Sequence, residues 1–226
     1  VSCDTNYPFS DQLAYTVESE TDFTFFIRVP EWTVTDKATI KIGDGGTKHL
    51  SPNKGHLQEV KIKQGTTNVT VTLPMDVKTV QRGDSVAFYR GPLLYAADIA
   101  YNETRYHPRD YGTLEPLPEE QVHPDSYDAI FEPVSEWRFA VDPLTVTVHE
   151  GDEMAELPNP LFVRDGPPTS LEVEAYPIDW PVTNGTAASP PSKPVVDAAQ
   201  KTTIRLIPYG AAKVHIAEFP VASLGG

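Results

Sequence analysis

Apolar and polar residues alternate over short stretches of this chain, and a period of two marks half-buried β-strands. Residues 12–17 carry their larger apolar side chains at every second position, and residues 22–29 do so less strictly. The acidic stretch 18–22 between them predicts a hairpin loop, and Pro30-Glu31-Trp32 closes the second strand. Residues 38–42 alternate again and stop at Gly43-Asp44-Gly45-Gly46, a strong turn signal. Residues 57–62 and 68–73 follow, separated by Lys63-Gln64-Gly65-Thr66-Thr67. Residues 85–89 lead through Arg90-Gly91-Pro92 into the apolar run 93–97, which reads as strand, turn, strand.

Residues 98–136 break the rhythm. They are polar, aromatic and punctuated by proline without a period, and they predict a long connection with little regular structure. Strand-like runs resume at 137–141, 144–148 and 171–176, and a last pair, 202–207 and 212–217, flanks Pro208-Tyr209-Gly210. Residues 181–194, rich in Pro, Ser, Thr and Ala, predict an exposed loop, and residues 196–201 predict a single helical turn. The pattern therefore predicts an all-β chain with almost no helix. It forms two β-sandwich, jelly-roll-like domains, 1–97 and 137–226, joined by the irregular connection 98–136.

Composition sharpens this picture. The 226 residues are 39% hydrophobic, enough for a buried core, and 22 prolines oppose long helices. A net charge of −14 opposes nucleic acid and anionic membranes as partners. No apolar run reaches the roughly 18 residues of a membrane-spanning helix. Cys3 is the only cysteine, so no internal disulfide can form. That favours a reducing compartment, but three glycosylation sequons, at Asn68, Asn102 and Asn184, favour secretion. The chain starts at Val1 rather than Met, which reads as a processed or cut end with any targeting segment upstream.

Four motifs carry a resemblance. YPFSD at 7–11, FIRVPEW at 26–32, LPMDV at 73–77 and YRGPLLYA at 89–96 occur in the order found after the catalytic barrel of glycoside hydrolase family 127, the β-L-arabinofuranosidase-like enzymes. WRFAVD at 137–142, AYPIDW at 175–180, PPSKP at 190–194 and the tail 206–220 extend the resemblance over nearly the whole chain, in a form associated with filamentous fungi. The tail also resembles several related hydrolase families. The resemblance implies two β-sandwich domains beside an (α/α)6 barrel that would lie before Val1. It also implies removal of arabinofuranosyl units with retention, by a cysteine nucleophile in a zinc-bound cysteine cluster and a glutamate acid/base. None of that machinery maps onto this chain, whose lone Cys3 lies just before the YPFSD motif.

Other chemistry is thinly represented. The six histidines form no HxxxH pair, there is no CxxC, and Asp44-Gly45-Gly46 is explained by turn chemistry before calcium binding, so neither metal nor cofactor is expected. GxSxG, GxGxxG and P-loop patterns are absent. Sugar-binding sandwiches stack sugar rings on exposed aromatics, which makes Trp32, Trp180, Tyr101, Tyr106 and Tyr111 the candidate carbohydrate-binding residues. The resemblance implies that Arg28 and Trp32 lie near a domain junction and dock the barrel. The expected function is the non-catalytic, C-terminal β-sandwich portion of a secreted hydrolase. It braces the barrel of the same parent chain, contacts an arabinose-containing glycan, and turns over no substrate alone. The alternative is a free-standing carbohydrate-binding protein.

Overall fold

A computed structural model of the chain describes residues 1–151 and 156–224. The first unit contains β1 (Ser2–Asp4), β2 (Gln12–Ser19), β3 (Phe23–Arg28), β4 (Thr39–Ile42), β5 (Lys48–His49), β6 (Leu57–Ile62) and β7 (Gly65–Thr72). Five of these form one sheet in the order β1-β2-β7-β4-β5, and β3 pairs with β6 in a second layer. The inward residues of the two layers, among them Val17, Ile27, Ile40, Val60, Val69 and Val71, meet in one core. Tyr15 meets Phe25 edge-on across it, with centroids 5.6 Å apart.

This arrangement corrects one expectation. β2 and β3 are not a hairpin, because β2 pairs with β1 and β7 while β3 pairs with β6. Each strand has one side directed at the core, and burying both sides against each other requires the short link 20–22 to cross between layers.

The second unit begins at β8 (Val77–Arg82), β9 (Ser85–Arg90) and β10 (Leu93–Ala97). It continues through β11 (Tyr101–Tyr106), β12 (Asp128–Pro133), β13 (Phe139–Val141), β14 (Thr147–Glu150) and β15 (Thr169–Pro177). Short strands β16 (Val182–Thr183), β17 (Thr186–Ala187) and β18 (Val195–Val196) precede β19 (Thr202–Pro208), β20 (Phe219–Pro220) and β21 (Ser223–Leu224). The main sheet runs β13-β15-β19-β10-β9-β20, with β14 on β15 and β8 on β9. Its core includes Phe88, Tyr95, Val141, Leu171, Leu206 and Phe219, with Trp137 and Trp180 packed 5.6 Å apart. The fold is all-β and sandwich-like, and the helical residues described are short 3₁₀ turns, one of them at Ala198–Gln200.

Several boundaries differ from expectation. β9 and β10 pair with β20 and β19, β8 pairs with β9, and residues of all three join the later core, so the change from one core to the other falls between Leu73 and Val77. The stretch 98–136 is not wholly irregular: β11 and β12 form a ladder from Tyr101↔Pro133 to Tyr106↔Asp128. Residues 143–145 are a 3₁₀ turn in which Asp142 accepts from the Leu144 N–H, and the strand starts only at Thr147. Residues 212–217 form no strand; the segment lies against the sheet, where Ile216 O accepts from the Ala97 N–H. The exposed run 181–194 contains the small hairpin β16–β17, turned by Asn184 at φ 52° and Gly185 at φ 76°.

Candidate binding groove

Trp32 stands where the two units meet. After β3, the Val29 N–H donates to His56 O, and the turn Pro30-Glu31-Trp32 closes with the Thr33 N–H on Pro30 O. Thr33 then bridges to Met75, and the Val34 N–H donates to Pro74 O, so the tryptophan turn is tied to the end of the first unit. The Tyr7 ring lies nearly parallel to the indole, 6.2 Å away at 23°. Partial burial pushes the Tyr7 hydroxyl above its ordinary pKa.

On the other side stand β8 and β9. A groove of about 320 Å³ is lined by Glu31, Trp32 and Asp76 from the first unit's edge and by Lys78, Val80, Tyr89 and Gly91 from the second. Two aromatic residues, two acidic residues and one lysine thus line a half-open space, with the exposed Glu31 carboxylate also 3.8 Å from His56 Nε2. Gly91 shapes its wall: at φ 53° it is left-handed, and a β-carbon there would run into the Met75 side chain.

The sequence candidates scatter. Of the five aromatic residues, only Trp32 lines this groove. Trp180 is 2% exposed, its indole N–H donating to Ala188 O at 2.9 Å, so it is a core residue and no sugar platform. Tyr101 is half-buried and meets Phe131 edge-on, with centroids 5.3 Å apart. Tyr106 is exposed beside the Arg109 guanidinium, 5.5 Å from the ring centre. Tyr111 is 96% exposed on a turn whose Gly112 and Thr113 N–H groups bond the Asp110 carboxylate. Arg28 is exposed at the end of β3, opposite Leu57 of β6. Asn68, Asn102 and Asn184 are all exposed. Glu31, Asp76, Lys78 and Tyr89 were not singled out from sequence. Asp76 and Tyr89 fall inside the LPMDV and YRGPLLYA motifs, and those motifs were the available signal.

Two further clusters are structural in character. Arg90 is buried at the unit junction and pairs with Glu150 through Nη2, while its Nη1 has no hydrogen-bond partner. Burial pushes the Asp11 carboxyl up, Arg90 opposes the rise and Glu150 adds to it. Behind them the Tyr95 hydroxyl and Thr169 Oγ1 share a 3.0 Å hydrogen bond. A second cavity, of about 290 Å³, is walled mostly by apolar side chains including Ile99, Phe131, Trp137 and Ile216. His215 on its rim is bonded to the Tyr209 hydroxyl at 2.6 Å. No group of three or more His, Cys, Asp or Glu side chains among the described residues is placed to hold a metal ion. Partial burial raises the Cys3 thiol, which disfavours a reactive thiolate.

Comparison with known proteins adds a family likeness. Residues 1–75 match the family model described as Beta-L-arabinofuranosidase, GH127 middle domain. The match ends at Met75, just past Leu73, the last residue of the first core. No curated protein matches the chain. Among solved structures, one described as a glycoside hydrolase aligns at TM-score 0.55 and 18% identity over 98% of this chain and 32% of its own. A GH127 β-L-arabinofuranosidase from Geobacillus stearothermophilus T6 aligns at 0.55 and 17% over 97% of this chain and 29% of its own. A GH127 β-arabinofuranosidase aligns at 0.54 and 17% over 97% and 31%. At these identities the likeness is one of fold, and the chain spans about a third of the length of the solved structures it matches.

Proposed function

We propose that this chain is the non-catalytic β-sandwich portion, following the barrel, of a secreted, β-L-arabinofuranosidase-like glycoside hydrolase of fungal type. The observation that carries this reading is the lopsided coverage: nearly all of this chain aligns with about a third of each hydrolase. The middle-domain match to residues 1–75 supports it. In this reading the two units brace a catalytic barrel in the same parent chain. The outward side of β3, with Arg28 and the 49% exposed Phe26, docks the barrel. The exposure of Asn68, Asn102 and Asn184 supports N-glycosylation and export.

The test is the intact mass of the native species, detected with an antibody against this chain. A species much heavier than 24.9 kDa plus glycans is expected. A native species near that mass, or turnover of an aryl arabinofuranoside by the purified chain, would overturn the reading. The alternative, a free-standing carbohydrate-binding protein, is favoured by one observation: Trp32 stands in a groove with carboxylates and an ammonium group.

A further inference from the structure

We infer that the groove between Trp32 and Tyr89 is a binding subsite for one neutral sugar unit of a glycan, with Trp32 as its stacking platform and Glu31, Asp76 and Lys78 as its hydroxyl partners. The inference rests on the carbohydrate recognition named in the alternative reading above and is independent of whether a barrel accompanies the chain.

The argument starts from the shape of a sugar ring. One side of a furanose or pyranose presents C–H groups, and the rim presents hydroxyls that both donate and accept. An aromatic face suits the first, and carboxylates and an ammonium group suit the second. The groove supplies both within about 320 Å³, the lower end of the roughly 300–1,000 Å³ typical of ligand sites. Trp32 is held in place before any ligand arrives. Tyr7 packs nearly parallel to it, and the Thr33–Met75 bridge and the Val34 N–H to Pro74 O bond fix the turn that carries it. Such preorganisation lowers the cost of ordering on binding.

The charges select the ligand class. Two carboxylates against one ammonium make the groove acceptor-rich, which fits a ligand that brings many donors. The chain's net charge of −14 adds a field that disfavours phosphate esters and uronates. Val80 and the backbone at Gly91 complete a smooth wall, and a side chain at Gly91 would require Met75 to move.

The test is a titration of the purified chain, by calorimetry and tryptophan fluorescence, with arabino-, xylo- and cello-oligosaccharides and with an oligogalacturonide as the anionic counterpart. Saturable binding of at least one neutral oligosaccharide is expected, with the oligogalacturonide weaker. Trp32→Ala should weaken binding by about tenfold or more. Asp76→Asn and Lys78→Ala change exposed side chains, keep the fold by circular dichroism, and should each weaken binding several-fold. Tyr111→Ala should leave it unchanged.

Binding that survives both Trp32→Ala and Asp76→Asn overturns the groove while leaving glycan recognition in place. Absence of binding to every neutral oligosaccharide, or preference for the oligogalacturonide, overturns the inference outright. Release of reducing sugar during the titration overturns it as a pure binding subsite. If no sugar binds yet the native species is heavy, the inference fails and the hydrolase-portion reading survives. If a sugar binds and the native mass is near that of this chain, the reverse holds.

Discussion

The Met75 side chain occupies the space that a β-carbon on Gly91 would need. Gly91 also sits at φ 53°, in the left-handed region where a side chain is strained. The two residues close the first unit and turn the β9–β10 hairpin of the second, so their contact couples a local turn to the packing between units. Gly91→Ala meets both penalties. It should cost about 1–3 kcal/mol, measured by urea unfolding, and should distort the neighbouring groove. Gly83 is also left-handed, at φ 62°, but its β-carbon would meet nothing within 4 Å. Gly83→Ala therefore isolates the backbone strain, and its cost should be smaller than that of Gly91→Ala.

Arg90 gives a second prediction. Its side chain is 8% exposed and pairs with Glu150, whose side chain is 42% exposed. Removing the guanidinium leaves the Asp11 and Glu150 carboxylates without their cation at the unit junction. Arg90→Met should destabilise by about 2–4 kcal/mol, below the full range for a buried pair because Glu150 keeps contact with water. Replacing Arg90 and Glu150 together by apolar residues should recover part of that loss, which a double-mutant cycle would measure.

Much of this architecture was legible in the sequence, for a definite reason. Alternation sees one strand at a time, so it found β2, β3 and β6, while the Gly91-Pro92 punctuation found the turn between β9 and β10, which are buried almost throughout. It is blind to partners. Nothing in residues 12–28 tells that β2 and β3 face each other across a core instead of lying side by side. It also missed β8, where only Val77 and Val80 are apolar among exposed polar residues at the sheet's margin. Residues 212–217 alternate because they cover the sheet, and covering requires no ladder. For the site, sequence marks aromatic residues without telling which of them fold inward: Trp180 is buried and Tyr111 stands in water. Trp32 gains its neighbours from residues 76–91, whose proximity follows from the bridge between Thr33 and Met75.

Trp180 provides a test of that distinction. It packs on Trp137 and donates to Ala188 O from inside the second core. Trp180→Ala should cost about 3–5 kcal/mol, as large aromatic truncations do, and Trp180→Phe substantially less. At temperatures where the Phe variant is folded, its sugar titration should match that of the unaltered chain. A selective loss of binding with unchanged stability would mean that Trp180 contributes to recognition.

The pH dependence of stability follows from groups shifted in opposite directions. Burial raises the Asp11 carboxyl in the folded chain, with Arg90 opposing the rise and Glu150 adding to it. A raised carboxyl favours the folded state fully below the unfolded pKa of about 3.9, and that contribution is lost as pH rises through the folded value. Glu136 behaves in the opposite sense: burial raises it, but the Arg138 and Trp137 N–H groups outweigh burial and leave it lowered. Its contribution is present above the unfolded pKa and is lost as pH falls through the folded value. Asp11→Asn should therefore raise stability near neutral pH and flatten the gain on mild acidification, whereas Glu136→Gln should lower stability near neutral pH and reduce the loss at strong acid. Urea midpoints taken from about pH 3 to pH 8 separate the two, because the variants depart from the unaltered chain in opposite directions at neutral pH and converge on it as the carboxyls protonate. An Asp11→Asn variant less stable than the unaltered chain at pH 7 would show that the Asp11–Arg90 attraction exceeds the cost of burying the charge.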